Sequence, residues 1–214
     1  MSQVWDERAQ LYRESEAHRE GADLDLIVDW GLSAPGRRAL DVATGGGHVA
    51  RRLRDAGFDV TSSDPAPAME PDVVCRAEAL PFRESSFDLV TCRVAAHHFE
   101  DVRAAVSQMA RVSSGTVIVA DNLYLGEAVE EAERLRDPTH VRCYSEQEWR
   151  GSFADAALAV DDSRVLDKPI ELEPWLERAG CQGEAATRVK QLLADRIDGD
   201  TLVLSRLVIR GRKR

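Results

Sequence analysis

The sequence predicts an α/β fold built on a Rossmann-like, mainly parallel sheet. Three observations carry the prediction. Residues 38–64 read as strand, glycine turn, helix and strand in unbroken succession. Apolar strand-length runs recur at 87–92, 116–120 and 201–209. Between most of them the apolar spacing switches to a helical period, which allows crossover connections and parallel pairing.

In the first unit, Ala39, Leu40 and Val42 make a short strand, and Gly45, Gly46 and Gly47 a tight turn. Val49, Ala50, Leu53 and Ala56 follow at helical spacing, and Gly57 stops the helix. Phe58, Val60 and Ser62 alternate as a second strand, with Asp64 at its end. Such a unit holds a nucleoside-containing cofactor at the carboxyl ends of its strands. Two cofactor classes compete. Gly45-x-Gly47-x-x-Ala50 satisfies the dinucleotide pattern, with Asp64 spaced for ribose hydroxyls. Asp41, inside the strand before the turn, favours S-adenosylmethionine. A dinucleotide site turns amide N–H groups toward a pyrophosphate, which a carboxylate would repel. S-adenosylmethionine has no phosphate and carries an ammonium and a sulfonium. Asp41 would hold that cationic end and Asp64 would accept from the ribose diol. The plainer alternative is that Asp41 ties down the turn and Asp64 caps the next helix.

The segment L-D-V-A-T-G-G-G-H-V-A resembles the first motif of class I S-adenosylmethionine-dependent methyltransferases. It is closest to the branch of ubiquinone/menaquinone-biosynthesis C-methyltransferases. A-L-P-F at 79–82, S-F-D-L-V-T at 86–91 and A-H-H-F-E-D at 96–101 continue the match in order. R-D-P-T-H-V-R at 136–142 and the S-E-Q-E-W after it extend the match, which thins after about residue 161. The resemblance implies a seven-stranded, mainly parallel sheet with an antiparallel last strand. It implies one domain: a helical lid over 1–30, a cofactor-binding core over 36–122, and substrate-side helices and last strands over 123–214. The implied activity is methyl transfer to a small apolar or aromatic metabolite. The implied cofactor contacts are Asp41, Ala43, Thr44, Gly45, Gly47, Asp64, Pro65, Ala77, Glu78 and Arg93. In the lid, Tyr12 and His18 are candidates for facing the ligand.

The chain departs from that family at several positions. Arg76 stands where an aspartate usually accepts from the adenine amino group, and arginine has only donors. Pro65, Pro67 and Pro71 remove the usual helix between the second and third strands or cut it to one turn. V-S-S-G at 112–115 replaces L-K-P-G-G. These departures leave open a protein that keeps the cofactor shape without transferring a methyl group. An NAD(P)-dependent oxidoreductase is a further alternative.

His97 and His98 follow a central strand at its ligand end, where the family usually has Arg-Asn. Histidine titrates near neutrality and suits a general base; His98 is the preferred candidate and His97 the second. Zinc binding by this pair with Cys92 lacks spaced third and fourth ligands, so no metal is expected. Arg136, His140 and Arg142 are candidates for the acceptor pocket. Trp149, Phe153 and Trp175 fit helix-face core packing better than a substrate wall.

The remaining elements follow in order. Residues 1–30 are helical with a break at Gly21, and 72–77 is a third strand. Helices cover 101–112 and 127–135, and a helix capped by Ser145 with Glu148 runs to about 157. Strand 160–166 and helices 172–179 and 185–197 precede the final strand. R-G-R-K-R at the end is a solvated tail. The chain has 214 residues and a net charge of -10, which suits one domain and disfavours nucleic acid. No run is long enough to span a membrane, and the first residues show no signal pattern. The expectation is a cytoplasmic monomer or homodimer acting on a small molecule. Cys75, Cys92, Cys143 and Cys181 are scattered, as for reduced thiols.

Overall fold

The computed structural model describes residues 2–14 and 19–213. Helices α1 (Ser2–Glu14) and α2 (Ala22–Gly31) precede the sheet. The core then runs β1 (Arg38–Val42), α3 (His48–Asp55), β2 (Asp59–Asp64), β3 (Val73–Val74), β4 (Phe87–Arg93), α4 (Val102–Val112) and β5 (Ser113–Asn122). Helices α5 (Glu127–Arg136) and α6 (Glu146–Asp155) lead to β6 (Leu158–Glu171). Helices α7 (Leu172–Arg178) and α8 (Gly183–Leu192) precede the short β7 (Ile197–Asp198) and the long β8 (Thr201–Lys213).

The strand order is β3-β2-β1-β4-β5-β8-β6, with β7 attached to β8 off this path. Strands β1 to β5 pair in parallel, and β8 lies antiparallel between β5 and β6. The expected mainly parallel sheet with its antiparallel last strand is therefore present, with the two-residue β7 as an addition. Because β1 lies between β2 and β4, the chain reverses its direction of travel across the sheet there. The carboxyl ends of β1 and β4 form the crevice in which open α/β sheets bind ligands.

Alternate residues of each strand feed opposite layers. Leu40, Val90, Val117 and Val119 face Met109 of α4 and Trp149 and Phe153 of α6. Ala39, Leu89, Ile118 and Ala120 face Leu24, Ile27 and Trp30 of α2 and Leu53 of α3. A third apolar cluster joins Val129 of α5 to Trp175, Val189 and Leu204 at the carboxyl end of the sheet. Trp149 and Phe153 are thus core residues.

The proline-rich link after β2 is one 3-10 turn, Pro67–Met69, as the prolines predict. Helix α1 packs on it: Ala9 meets Ala66 and Met69, and the Ala68 amide donates to Asp6 Oδ1 at 2.9 Å. The third strand is shorter than expected. Its pairing ends where β2 ends, at Asp64 opposite Val74, and the chain turns into a 3-10 helix at Ala77–Ala79. At the other end the Asp72 carboxylate accepts from the Ser62 amide at 2.8 Å. The Ser145–Glu148 capping box forms as predicted.

The end of the chain corrects the solvated-tail expectation. Residues 210–213 belong to β8, and β6 extends over 158–171 to pair with them. Arg210 and Arg212 both bond to Asp161, at 2.8 and 2.6 Å. Gly211 packs so closely that an added Cβ would lie 2.6 Å from Phe153 Cδ1 and 3.1 Å from Leu158 Cβ. Phe153 is fully buried and has no room to retreat. Gly211→Ala therefore destabilises the fold by about 1–3 kcal/mol. Equilibrium urea unfolding measures this, and an unchanged midpoint would contradict the packing.

The four cysteines are free thiols. No helix among the described residues is long and apolar enough to cross a membrane.

Candidate functional site

A cavity of about 440 Å³ opens at the carboxyl ends of β1, β2 and β4. Its floor is the turn after β1, through Ala43, Thr44, Gly45 and Gly46. Asp64 and Pro65 after β2, Ala77 and Glu78 before β4, and Arg93 at the end of β4 complete the predicted part. The backbone at Gly45 has φ 50° and at Gly47 φ 73°, left-handed conformations that glycine adopts without steric cost.

Three amides of this turn donate within the protein. Thr44 N–H donates to the Ser63 carbonyl at 2.9 Å, Gly45 N–H to Asp64 Oδ2 at 3.0 Å, and Gly47 N–H to the Thr44 carbonyl at 2.9 Å. The other Asp64 oxygen accepts from Ala66 N–H at 2.9 Å. Burial raises the Asp64 pKa, and these two bonds oppose the rise. Each oxygen keeps acceptor capacity toward the cavity.

Asp41 lies behind the turn and does not line the cavity. Thr44 Oγ1 donates to its Oδ2 at 2.6 Å and Thr91 Oγ1 to its Oδ1 at 3.1 Å. Burial pushes its pKa up to about 6, against those hydrogen bonds. Its observed contacts are those of a turn anchor. Gly47 is also set back, as the residue before α3. Arg76 reaches the cavity wall, but its guanidinium pairs with Glu100 at 2.9 Å and Glu78 at 3.4 Å.

His97 and His98 stand on a 3-10 turn just after β4. Val94, between strand and turn, has φ 56°. A β-branched residue rarely adopts that conformation, at a cost of about 1–3 kcal/mol, and such strain concentrates at functional sites. The His97 amide and ring Nδ1 both bond to Asp121 at the end of β5, at 2.8 and 2.6 Å. Burial lowers the His97 pKa, but the Asp121 carboxylate outweighs it and the net shift is upward. The Nδ1 proton is held on the Asp121 side, and Nε2 has no partner among the described residues. Neutral His98 donates from Nδ1 to the Thr139 carbonyl at 3.0 Å. Burial, then the neighbouring His97 charge, lowers its pKa to about 3.

A second cavity of about 60 Å³ adjoins the first, and Val94 and His98 line both. His97, Arg136 and Trp175 line only the second. His140 is buried, bonded through Nε2 to Glu130 at 3.0 Å, and lines neither cavity. Arg142 is also away from both and pairs with Glu148 at 2.7 Å. His18 and the Tyr12 side chain lie outside the described residues.

Sequence reasoning missed several lining residues. Trp5 of α1 reaches the first cavity and meets the His98 ring edge-on, with centroids 4.7 Å apart. His48 and Met69 also line it. Asp121 lies at the end of β5, and nothing in the sequence ties it to His97.

Residues 40–119 match the family model of the methyltransferase domain. The uncharacterised methyltransferase YcgJ of Bacillus subtilis is 35% identical over 207 residues, covering 86% of this chain and 81% of the relative. Its crystal structure superposes with a TM-score of 0.81 at 30% identity, covering 90% of this chain and 98% of that one. The chain belongs to the class I S-adenosylmethionine-dependent methyltransferases. A demethylmenaquinone methyltransferase of Renibacterium salmoninarum is 35% identical over 108 residues, or 45% of this chain and 46% of the relative. A malonyl-[acyl-carrier protein] O-methyltransferase of Pseudescherichia vulneris is 32% identical over 194 residues, or 79% of this chain and 74% of the relative. Membership of a methyltransferase family weighs against the nicotinamide reading and against a binding protein without transfer.

Proposed function

We propose that the protein transfers a methyl group from S-adenosylmethionine to a small acceptor with an apolar or aromatic body. The observation that carries the cofactor choice is that three amides of the turn are bonded within the protein. Thr44, Gly45 and Gly47 have all donated within the protein, so they offer nothing to a pyrophosphate. The acids around the turn instead suit a cationic nucleoside.

Bound S-adenosylmethionine would supply the methyl group on a sulfonium carbon already activated for in-line displacement. Asp64 would accept from the ribose diol through its remaining lone pairs. Glu78 carries an acceptor where the family's aspartate is absent, and it would read the adenine amino group while Arg76 is held by Glu100. Asp41 would act by its charge through Thr44. Trp5 and Phe99 would exclude water from the cavity, with α1 as its cover. His97 would accept the acceptor's proton at Nε2, with Asp121 stabilising the resulting imidazolium. His98, kept neutral, would orient the acceptor between the two cavities. The named relatives act on demethylmenaquinone and on a malonyl group carried by acyl-carrier protein, so similarity does not select one acceptor.

Calorimetry with S-adenosylhomocysteine tests the cofactor assignment. Asp64→Asn weakens binding by about 10–100-fold, the effect of losing charge-assisted bonds to two hydroxyls. Failure of the parent to bind at millimolar ligand would remove the reading. Asp41 adds a pH dependence. The binding of a sulfonium favours the ionised carboxylate, so affinity for S-adenosylmethionine rises as pH increases through about 6. The Asp41→Asn variant loses that rise, and an identical slope in both would exclude Asp41 from the field at the site.

A further inference from the structure

We propose that the second cavity is an oxyanion subsite. It would hold a carboxylate or phosphate group of the methyl acceptor against Lys168 and Arg206. The inference rests on the methyltransferase reading and adds the chemical class of the acceptor.

The cavity wall brings together Arg136, Lys168, Arg178 and Arg206, and no carboxylate lines it among the described residues. This concentration of cations occurs in a chain of net charge -10. Buried acids lie behind this wall, not on it: Asp121 acts on Arg206 and Asp137 on Arg136. Asp23 is shared by Arg93 and Arg206, at 2.7 Å from each. Glu133 pairs with Arg136 at 3.2 Å. Lys168 has no carboxylate partner among the described residues. Burial and then the charge of Arg206 lower its pKa, and Asp23 only partly opposes them.

Arg206 is 6% exposed, and its buried Nε has no hydrogen-bond partner. A buried guanidinium N–H left unpaired is costly, and the charge of an anion seated against Arg206 would offset that cost. The volume of about 60 Å³ suits a head group of a few heavy atoms rather than a whole acceptor. Trp175 and Ile170 give apolar walls beside the cations. Val94 and His98 border both cavities, so an acceptor anchored here would extend its body toward the cofactor cavity past the two histidines.

The test uses the full chain, labelled with nitrogen-15 and titrated at constant ionic strength with sodium phosphate or sodium benzoate, against sodium chloride. The expected result is a saturable shift of the Trp175 indole signal with at least one of the two. Phosphate alone would indicate a phosphorylated acceptor and benzoate alone a carboxylated one. Lys168→Met weakens that binding about tenfold or more, the scale of one hydrogen bond to a charged group. Arg178→Met serves as a second variant if the first does not fold. No saturation by either anion, or parent-like binding in a folded variant, would overturn the subsite. S-adenosylhomocysteine affinity is measured on the same samples. Its absence from the parent would remove the methyltransferase reading, while the anion titration would still judge the subsite.

Discussion

His97→Asn lowers kcat by about 10²–10⁴-fold, the range for losing a positioned general base, and leaves S-adenosylhomocysteine affinity unchanged. Asparagine can still bond to Asp121, so loss of folding does not explain the result. The pH profile identifies the group more sharply. A base must be unprotonated to act, and the His97 pKa is raised. Activity should therefore fall as pH drops through a value above the 6.5 of ordinary histidine. Asp121→Asn removes the charge that holds the pKa up, so the acid limb moves to lower pH while the plateau falls. His98 behaves differently. With its pKa near 3 it stays neutral over the working range, so His98→Asn changes KM and leaves the limb in place. If the limb followed His98 and ignored Asp121, the proton would not go to His97.

Local signals account for what the sequence revealed. Hydrophobic period, glycine position and caps are fixed by neighbouring residues, so β1, α3, β2 and the capping box at Ser145 were legible. The cluster of prolines correctly predicted the single turn at Pro67–Met69. What escaped depends on residues far apart in the chain. Trp5 meets His98, and Arg206 meets Asp23, only once the sheet has formed. Arg210 and Arg212 looked like a tail because their charges mask a strand pattern. Asp161 bonds to both, and the small Gly211 lets Phe153 pack beneath. Asp41 shows a limit of another kind. Its position before the glycine turn was read from the sequence, but whether its oxygens face the ligand or Thr44 is set by side-chain geometry.

Asp23→Ala destabilises the protein by about 3–5 kcal/mol, because it leaves two buried guanidinium groups without their shared carboxylate. Burial alone would raise the Asp23 pKa, but Arg206 and Arg93 outweigh it and hold the carboxyl well below its usual range. The stability this group contributes is complete above the unfolded-state carboxyl pKa of about 3.9 and is lost as pH falls toward the folded-state value. Urea unfolding at pH 7 and at pH 3 should therefore differ more for the parent than for Asp23→Ala. Arg93 lines the first cavity and Arg206 the second, so one acid holds a cation of each cavity in place. Stability alone does not require this arrangement, since apolar replacement of a whole buried ionic triad is often neutral or stabilising. Combining Asp23→Leu with Arg93→Met and Arg206→Met should accordingly recover much of the loss seen in Asp23→Ala. The same triple variant should no longer take up phosphate or benzoate, because it lacks Arg206. Recovered stability with anion binding intact would mean that the triad serves the fold and not the acceptor.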